Sequence, residues 1–510
     1  MPELKGRDEP VEISPGFTIE APDLLGNVEA IDSRERVRSP DRGRQEPALY
    51  AALDAAGMAT EVMFELEVTE DLAPTPPGAR RRDSLRAATR QGEPAVILRA
   101  EVSRPNQDYA VLYTDEGGVS RWIFPEERGR GRQRRGRELT FYLPRAGAPE
   151  PPTAADEDRR GPISKLGRRV VRMLMWATDE IAGAGAQAFM ANWENRKRPY
   201  GFHRVAPHSI GGRPDWDQLQ RGRALLLIHG TNSMAQIAYK GLVESDAFAR
   251  IHEHYGGRVF AFNHPSVHLS PDENIQTFFD MLADVLPRGA SLDLDMVTHS
   301  RGGLVGRTLM ERMNAFATNG RSVRVGKAIL VAAPNRGTVL ADGDNWIELI
   351  DRYTNLLTNL PDNVYTLSLE GILTLVKVIG HGALVKLPGL NSMWPDGEFL
   401  RRLNRADDGR DGGDPGSVYY ALSADFEPAD PNLLHSFGKL VGDKFVDVVF
   451  EEQNDGVVPT IGGYAIGVNA HGFPIPPERR QVWTLQSSIY HTNFFYNKKV
   501  NEQIAKWLVG

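Results

Sequence analysis

Six short apolar runs, separated by segments of helical character, constrain this chain more than any other feature. Each run contains three or more apolar residues close together, and the runs begin at about residue 224: ALLLIHG, RVFAFNH, LDMVTHS, VGKAILVAAP, SVYYALSAD and QVWTLQ. Continuous apolar strands that alternate with helices are typical of a parallel sheet covered on both faces. The pattern predicts an α/β domain over residues 201–510, with a cap inserted at about 339–416, where the alternation is interrupted.

The first 200 residues follow another pattern. Residues 1–58 are rich in Pro, Gly and charged residues, which predicts a loose N-terminal extension. Segments such as EVMFELEV and ELTFYLP then alternate apolar and polar residues, as antiparallel strands do. We predict a small β-sandwich-like domain over 59–145, followed over 146–200 by a linker and a connecting helix.

A tight turn is predicted where the third apolar run continues into a helical segment. There the sequence THSRGG is similar to the G-x-S-x-G turn that exposes a nucleophilic serine. Small residues are needed two positions before and two positions after the serine, and here they are Thr298 and Gly302. Such a turn lifts the Ser300 hydroxyl above the sheet edge and aims the Arg301 backbone N–H at a developing oxyanion. A glycine-rich turn without any chemistry is the alternative.

A second oxyanion donor is predicted after the first apolar run, which ends in His229 and Gly230. In folds with a serine turn of this kind, the loop after the third strand supplies a backbone N–H. Gly230 lets the backbone bend inward, which makes Thr231 the expected donor. Two such donors contribute several kcal/mol, since losing one typically costs about 2.7–4 kcal/mol. His229 is expected to pack and has no predicted role in proton transfer.

Position along the chain selects His491 as the base from twelve histidines. It follows the last apolar run by a short loop, SSIYHTN, and precedes a final amphipathic helix. In this type of enzyme the chain order is serine, acid, histidine, so the histidine is expected after the last strand.

Two aspartates are candidates for the acid that orients this histidine. Asp455 lies in NDGVVP, where the following glycine permits a tight turn, and Asp425 ends the apolar run SVYYALSAD. Asp455 is favoured, with Asp425 as the alternative acid and a plain Asp-Gly turn as the interpretation without catalysis. The acid would accept a hydrogen bond from the imidazole Nδ1–H and stabilise the imidazolium.

Together these segments resemble the lipase and esterase branch of the α/β-hydrolase superfamily, which includes lecithin–cholesterol acyltransferase-like and GPI inositol-deacylase-like lipases. The resemblance covers roughly residues 220–510 and rests on LLLIHGTN, THSRGGLVGR, VAAPNRGT, NDGVVP and YHTN. It implies the α/β-hydrolase fold and a triad of Ser300, Asp455 and His491. Thr298, where the family usually has glycine, is a departure from its pattern.

The motifs predict a serine hydrolase that cleaves a carboxylic ester through an acyl-enzyme. The expected substrate is a small-molecule or lipid ester. An acyltransferase would use the same triad with an alcohol in place of water. A hydrolase fold that serves as a non-catalytic interaction module is the third hypothesis. Such modules typically lack the serine or the histidine, and both are present here.

Charge and cysteine content exclude several other classes. The net charge is −7, whereas proteins that neutralise phosphates are usually basic, so no nucleic-acid partner is expected. The absence of cysteine excludes disulfides, thiolate zinc sites and a cysteine nucleophile. We expect a cytoplasmic location, because the N-terminal residues lack an apolar signal core. No cofactor is predicted, and no metal site either, because the sequence has no HExxH motif, no EF-hand loop and no cysteine. The pair His264 and His268 has i,i+4 spacing, but Pro265 between them disfavours a regular helix.

Three features allow further contacts. The arginine-rich segment 126–138 is predicted to be a solvated loop, with phosphates or lipid headgroups as alternative ligands. In the predicted helix 165–197, basic residues such as Arg172 adjoin apolar residues such as Met173. We predict that this helix packs on a domain, with peripheral contact to a membrane surface as the alternative. The N-terminal β domain is a candidate site for a protein partner.

Overall fold

The structure is a computed structural model, and its residues form two compact units. It describes residues 2–7, 9–31, 46–72, 96–102, 106–115, 120–126, 137–144, 168–357, 360, 362–382, 387–405, 418–426, 452–470, 472–484 and 487–510. The first unit contains the described parts of Met1–Ala182 and Leu373–Gly382. The second contains the described parts of Gly183–Ile372, Ala383–Pro431 and Phe445–Gly510.

The first unit is built from antiparallel strands in two sheets. Its strands are β1 (Glu3–Lys5), β2 (Val11–Ser14), β3 (Phe17–Glu20), β4 (Leu24–Ala30), β5 (Ala59–Asp71), β6 (Val96–Val102), β7 (Gln107–Thr114), β8 (Ser120–Ile123), β9 (Arg137–Leu143) and β10 (Arg168–Ala177). One sheet has the order β1-β4-β5-β10-β7-β8 and the other β2-β3-β6-β9. Alternate residues of both sheets, such as Phe64 and Phe141, share one apolar core.

The predicted loose extension over residues 1–58 is wrong in its described part. Strands β1–β4 join the two sheets, and the helix α1 (Glu46–Ala55) follows them. Ile19, Leu24 and Val28 are fully buried there. Because a half-buried strand carries its apolar side chains on one face only, the many charged residues between them concealed these strands from a reading of composition.

The predicted helix over residues 165–197 is also wrong in its first half. Residues 168–177 form β10, which lies between β5 and β7; Met173, for example, is opposite Val62 on one side and Val111 on the other. The helices α2 (Asp179–Ala184) and α3 (Ala186–Lys197) follow the strand. This segment therefore forms no continuous helix that could lie on a membrane. Residues 127–136 of the arginine-rich segment lie outside the described residues.

The second unit is built on a mostly parallel sheet of eight strands. The strands are β11 (Gly201–Ala206), β12 (Ser209–Ile210), β13 (Ala224–Ile228), β14 (Val259–Asn263), β15 (Ser291–His299), β16 (Ser322–Val331), β17 (Val418–Ala424) and β18 (Arg480–Trp483). Their order is β12-β11-β14-β13-β15-β16-β17-β18. β11 is antiparallel to both of its neighbours, β12 and β14, and all other neighbouring strands are parallel. This sheet, with a serine turn after its fifth strand, is the α/β-hydrolase fold, and that prediction is confirmed.

Helices lie between and after these strands along the chain. They are α4 (Trp216–Leu219), α5 (Ala235–Ala238), α6 (Lys240–Val243), α7 (Asp246–His254), α8 (Pro271–Val285), α9 (Gly302–Glu311), α10 (Trp346–Leu357), α11 (Asp362–Gly380), α12 (Pro388–Asn391), α13 (Glu398–Leu403) and α14 (Lys498–Val509). The start of α8 shows why such segments become helices. The side chains of Ser270 and Glu273 cap each other's backbone N–H groups, and Pro271 occupies the first turn.

Two apolar layers hold this unit together, one on each face of the sheet. Leu226, Phe260 and Met296 point to a layer that includes α8 and α9. Their chain neighbours point to the opposite layer, which includes α7 and α14. A fully buried side chain of this size contributes about 1.5–3 kcal/mol, so the two layers stabilise the positions at which the strands end.

The interval between β16 and β17 contains the predicted cap region. It holds α10, α11, α12 and α13, together with 3₁₀ turns at Val339–Ala341 and Gly343–Asn345. Among the described residues, no helix is long and apolar enough to cross a bilayer.

Candidate active site

Ser300 occupies a strained turn between β15 and α9. Its φ is 52°, a left-handed conformation that costs a residue other than glycine about 1–3 kcal/mol. A Cβ atom at Gly302 would lie 2.4 Å from the carbonyl oxygens of Ile228 and His229, so only glycine fits where α9 starts. Thr298 is fully buried and its hydroxyl donates to the Ile329 carbonyl at 3.4 Å. The turn therefore accommodates threonine at the position where lipases and esterases with similar motifs usually have glycine.

His491 links Ser300 to Asp455 by two hydrogen bonds. Its Nε2 lies 2.9 Å from the Ser300 Oγ, and its Nδ1 lies 2.9 Å from the Asp455 Oδ2. A carboxylate can only accept, so Nδ1 carries the proton and Nε2 is the acceptor for the serine hydroxyl. The exposed fractions are 2% for Ser300, 1% for His491 and 2% for Asp455. The three side chains thus form one continuous, enclosed chain of hydrogen bonds.

Asp455 is held rigidly by its own loop. Its Oδ1 accepts hydrogen bonds from the backbone N–H groups of Val457 at 3.0 Å and Val458 at 2.7 Å. Its carbonyl accepts from the His491 N–H at 2.9 Å, so backbone and side chain fix the same pair. Asp425, the alternative acid, follows β17, is buried, and is not a hydrogen-bond partner of His491. The structure therefore brings Asp455, and not Asp425, to the imidazole.

The two backbone groups expected to bind an oxyanion flank the nucleophile. A Cβ atom at Gly230 would lie 2.7 Å from the Ser300 Cβ, so the loop after β13 passes directly over the serine turn. Thr231 follows in that loop and lines the same cavity as Ser300. Within the described residues, the N–H groups of Thr231 and Arg301 donate to no backbone carbonyl.

The Arg301 side chain has a structural role that is separate from the role expected for its backbone N–H. Its guanidinium is buried and donates to the carbonyl oxygens of Gly389 at 3.0 Å and Leu269 at 2.5 Å, and to the Asn274 amide oxygen at 3.1 Å. Burial lowers the pKa of Arg301 to about 10, so the side chain stays charged at neutral pH. It ties the nucleophile turn to α12, to α8 and to the residues just before α8.

Two further histidines support the site in their neutral form. Burial lowers the pKa values of His229 and His299 to about 3. His229 accepts a hydrogen bond from the His264 N–H at its Nε2, 3.1 Å away, which agrees with the packing role expected for it. His299 donates from Nε2 to the His491 carbonyl oxygen at 3.0 Å. The sequence analysis did not predict this contact, although His299 directly precedes Ser300 in the chain.

Sequence reasoning also missed Tyr353, which α10 brings to the nucleophile. The ring lies edge-on to the imidazole of His491, with centroids 5.9 Å apart and an interplanar angle of 88°. Burial, and next the charge of Asp455, raise the pKa of Tyr353, while the neighbouring Ser300 side chain partly offsets that rise. No motif surrounds Tyr353, so only the packing of the cap reveals it.

A cavity of about 60 Å³ lies over Ser300 and His491. Its polar wall includes Thr231, Asn232 and Tyr353. Its apolar wall is formed largely by residues of the cap and of the loop before α14: Leu357, Leu360, Val364, Ile372 and Phe495. A reactive group with one apolar and one polar side therefore fits the cavity best.

The pair His264 and His268 is used for packing. His264 stacks on His229 with ring centroids 4.2 Å apart, and His268 Nδ1 lies 2.6 Å from the Glu194 carboxylate. Among the described residues, no group of three or more His, Cys, Asp or Glu side chains could hold a metal ion.

Solved structures with a similar course of the chain include lipases. Bacillus licheniformis lipase BlEst2 in its mature form has 13% identity and a TM-score of 0.34, over 61% of this chain and 97% of that chain. Lipase 1 from Pelosinus fermentans has 16% identity and a TM-score of 0.38, over 56% and 98%. Phospholipase PlaB from Legionella pneumophila has 13% identity and a TM-score of 0.29, over 48% and 45%. Values this low say nothing about which reaction the chain carries out.

Sequence comparison identifies a family without an assigned activity. No curated protein matches the sequence. A family model described as a domain of unknown function (DUF7379) matches residues 195–509, which is well over half of the chain and includes Ser300, Asp455 and His491. The chain therefore belongs to the DUF7379 family.

Proposed function

We propose that this chain is a serine hydrolase that cleaves carboxylic esters through an acyl-enzyme. The observation that carries the proposal is the unbroken hydrogen-bonded chain from Asp455 through His491 to Ser300, with distances of 2.9 Å at both links. A serine on a strained turn, in contact with a histidine whose other nitrogen faces a buried carboxylate, is the arrangement that activates a hydroxyl for acyl transfer.

In the proposed mechanism His491 first removes the proton from Ser300 as the hydroxyl attacks the acyl carbon. The negative oxygen that develops accepts hydrogen bonds from the N–H groups of Thr231 and Arg301. His491 then passes the proton to the departing alcohol, and Asp455 stabilises the imidazolium in between. Water then attacks the acyl carbon as it loses a proton to the same imidazole, the bond to the Ser300 oxygen breaks, and His491 returns the proton to that oxygen as the acid leaves.

The surroundings of Ser300 support an ester with an apolar acyl group. The cavity wall formed by Leu357, Leu360, Val364 and Ile372 has no charged side chain, so it favours a hydrocarbon chain over an ionised one. A membership in the lecithin–cholesterol acyltransferase-like or GPI inositol-deacylase-like branch, a cytoplasmic location and a protein partner for the β domain stay predictions.

The direct test combines a fluorophosphonate probe with p-nitrophenyl ester hydrolysis. We expect the probe to label Ser300 and the purified protein to hydrolyse short esters. Ser300→Ala should abolish labelling and lower kcat by about 10⁶-fold, since the nucleophile is lost. Ser233→Ala, which changes another serine of the same cavity, is the matched control and should be labelled normally. Equal labelling of wild type and Ser300→Ala would refute the proposal.

A further inference from the structure

Tyr353 brings a phenol hydroxyl to the imidazole side of the nucleophile. Its ring lies edge-on to the His491 ring, with centroids 5.9 Å apart, and Tyr353, His491 and Ser300 line one cavity. The charge of Asp455, beyond the imidazole, also acts on this phenol. Tyr353 therefore lies on the side of Ser300 where Asp455 and His491 are found.

This side of the serine has a defined task in acyl transfer. The proposed oxyanion donors are backbone groups on the loops after β13 and β15, so the carbonyl oxygen of a bound ester faces Thr231 and Arg301. The alcohol oxygen must instead face His491, because that imidazole returns the proton to it. Tyr353 contacts that imidazole and lines the cavity beside Ser300, so it lies on the side where the alcohol oxygen departs.

The protonation state of Tyr353 suits a donor and not a base. Its pKa is raised by burial and by the negative charge of Asp455, so the phenol keeps its proton at neutral pH. A neutral phenol can donate one hydrogen bond and has no tendency to take a proton from Ser300.

We propose that Tyr353 is a catalytic residue whose O–H donates a hydrogen bond to the alcohol oxygen of the ester while the acyl C–O bond breaks. The inference rests on the proposed ester hydrolysis. The bond between Ser300 Oγ and the acyl carbon forms, and the electron pair of the breaking bond stays on the alcohol oxygen. His491 delivers to that oxygen the proton it took from Ser300. Tyr353 keeps its own proton, so it stabilises charge without altering the proton balance.

The proposal predicts a dependence on the leaving group that a packing role would not produce. Ethyl butyrate and p-nitrophenyl butyrate form the same butyryl-enzyme, but ethoxide carries far more negative charge at departure than p-nitrophenolate. Tyr353→Phe removes only the hydroxyl. It should lower kcat/KM for ethyl butyrate by about 10–100-fold, the range for hydrogen bonds to charged groups, and change it less than about threefold for p-nitrophenyl butyrate.

The ratio of the two kcat/KM values is the decisive quantity, because it does not depend on the fraction of protein that folds. Tyr365→Phe, which alters another tyrosine of the cap, on α11, is the matched control and should leave the ratio unchanged. An equal loss for both esters, or no loss for either, would overturn the role of Tyr353. An inactive wild type, or hydrolysis that survives Ser300→Ala, would instead overturn the proposed function.

Discussion

Asp455 and Asp425 show what a single carboxylate needs before it can orient a histidine. Both side chains are buried. Both residues also lie between Ser300 and His491 in the sequence, so either fits the order serine, acid, histidine. Asp455 receives two backbone N–H groups at one oxygen and its other oxygen faces His491. Sequence could favour Asp455 through its Asp-Gly turn, but the choice depends on a loop path that sequence does not contain.

We expect Asp455→Asn to lower kcat by about 10⁴-fold with little change in KM, because the amide would hold His491 in the wrong tautomer. Steady-state kinetics with p-nitrophenyl butyrate measures both constants. Asp425→Asn is the matched control and should retain kcat within about threefold. If Asp425→Asn were the more damaging change, the acid would be misassigned.

Gly302 permits the turn at Ser300, and a methyl group there should be incompatible with it. The added Cβ would lie 2.4 Å from two carbonyl oxygens, and backbone atoms cannot move aside as a flexible side chain can. We expect Gly302→Ala to lower the free energy of unfolding by at least about 2 kcal/mol. Urea unfolding followed by circular dichroism measures this loss.

Gly343→Ala is the control, because a Cβ atom at Gly343 would enter open space. It should change the free energy of unfolding by less than about 1 kcal/mol. Similar losses in both variants would show that steric overlap at the turn is not the cause.

At the scale of elements, β10 shows where a periodic pattern misleads. Residues 168–177 combine arginine and apolar residues at spacings that also fit a helix, and their strand character comes from long-range pairing with β5 and β7. Arg169 and Arg172 are buried in that sheet, and the Arg172 guanidinium lies 4.9 Å from the Tyr50 ring centroid. Because charged residues are expected on surfaces, sequence alone places such a segment incorrectly.

Glu194, on α3, fixes the loop that follows β14, and this loop contacts the loop after β13. Its carboxylate accepts hydrogen bonds from the backbone N–H groups of Ser266, Val267 and His268, and the Ser266 hydroxyl in turn accepts from the Asn232 N–H at 2.7 Å. Burial alone would raise the pKa of Glu194, but hydrogen bonds and charge from His268 outweigh it and hold the pKa below its ordinary value. The ionised carboxylate is thus part of the folded structure.

A depressed folded-state pKa makes this contribution depend on pH in one direction. The stabilisation is fully present above the unfolded pKa of about 4.3 and is lost as pH falls through the lower folded value. We expect Glu194→Gln to lower the free energy of unfolding by about 2–3 kcal/mol at pH 7, with a smaller difference from wild type at pH 3. Urea unfolding at both pH values measures this.

Glu244→Gln is the matched control, since Glu244 is exposed and pairs with Lys240 on the same helix surface. It should change stability by less than about 1 kcal/mol. A loss in Glu194→Gln that stayed constant between pH 7 and pH 3 would contradict an ionised Glu194.

At the scale of the whole molecule, the parallel sheet could be predicted from sequence, but the packing of the cap helices around Ser300 could not. The runs that form β13–β17 carry apolar residues on both faces of the sheet because both faces are buried, and this enrichment can be read from the sequence. The same runs carry Ser300 and Thr231 at their ends. Tyr353 and the cavity wall come from cap helices whose packing is set by contacts distant in sequence, and no local pattern encodes those contacts.

Enclosure of the nucleophile by the sheet edge and the cap should determine which esters are cleaved. The cavity of about 60 Å³ has room for only a few water-sized groups, since one water needs about 10–15 Å³. We expect kcat/KM for p-nitrophenyl esters to be highest for acyl chains of about two to four carbons. Leu360→Ala removes part of the apolar wall, so it should raise the ratio of octanoate to butyrate kcat/KM by about tenfold. Leu367→Ala, on the cap helix α11 but 46% exposed, should leave that ratio unchanged. If kcat/KM depended on acyl chain length in the same way in wild type and in Leu360→Ala, the acyl chain would lie elsewhere, because a wall that contacts the chain must discriminate between chain lengths.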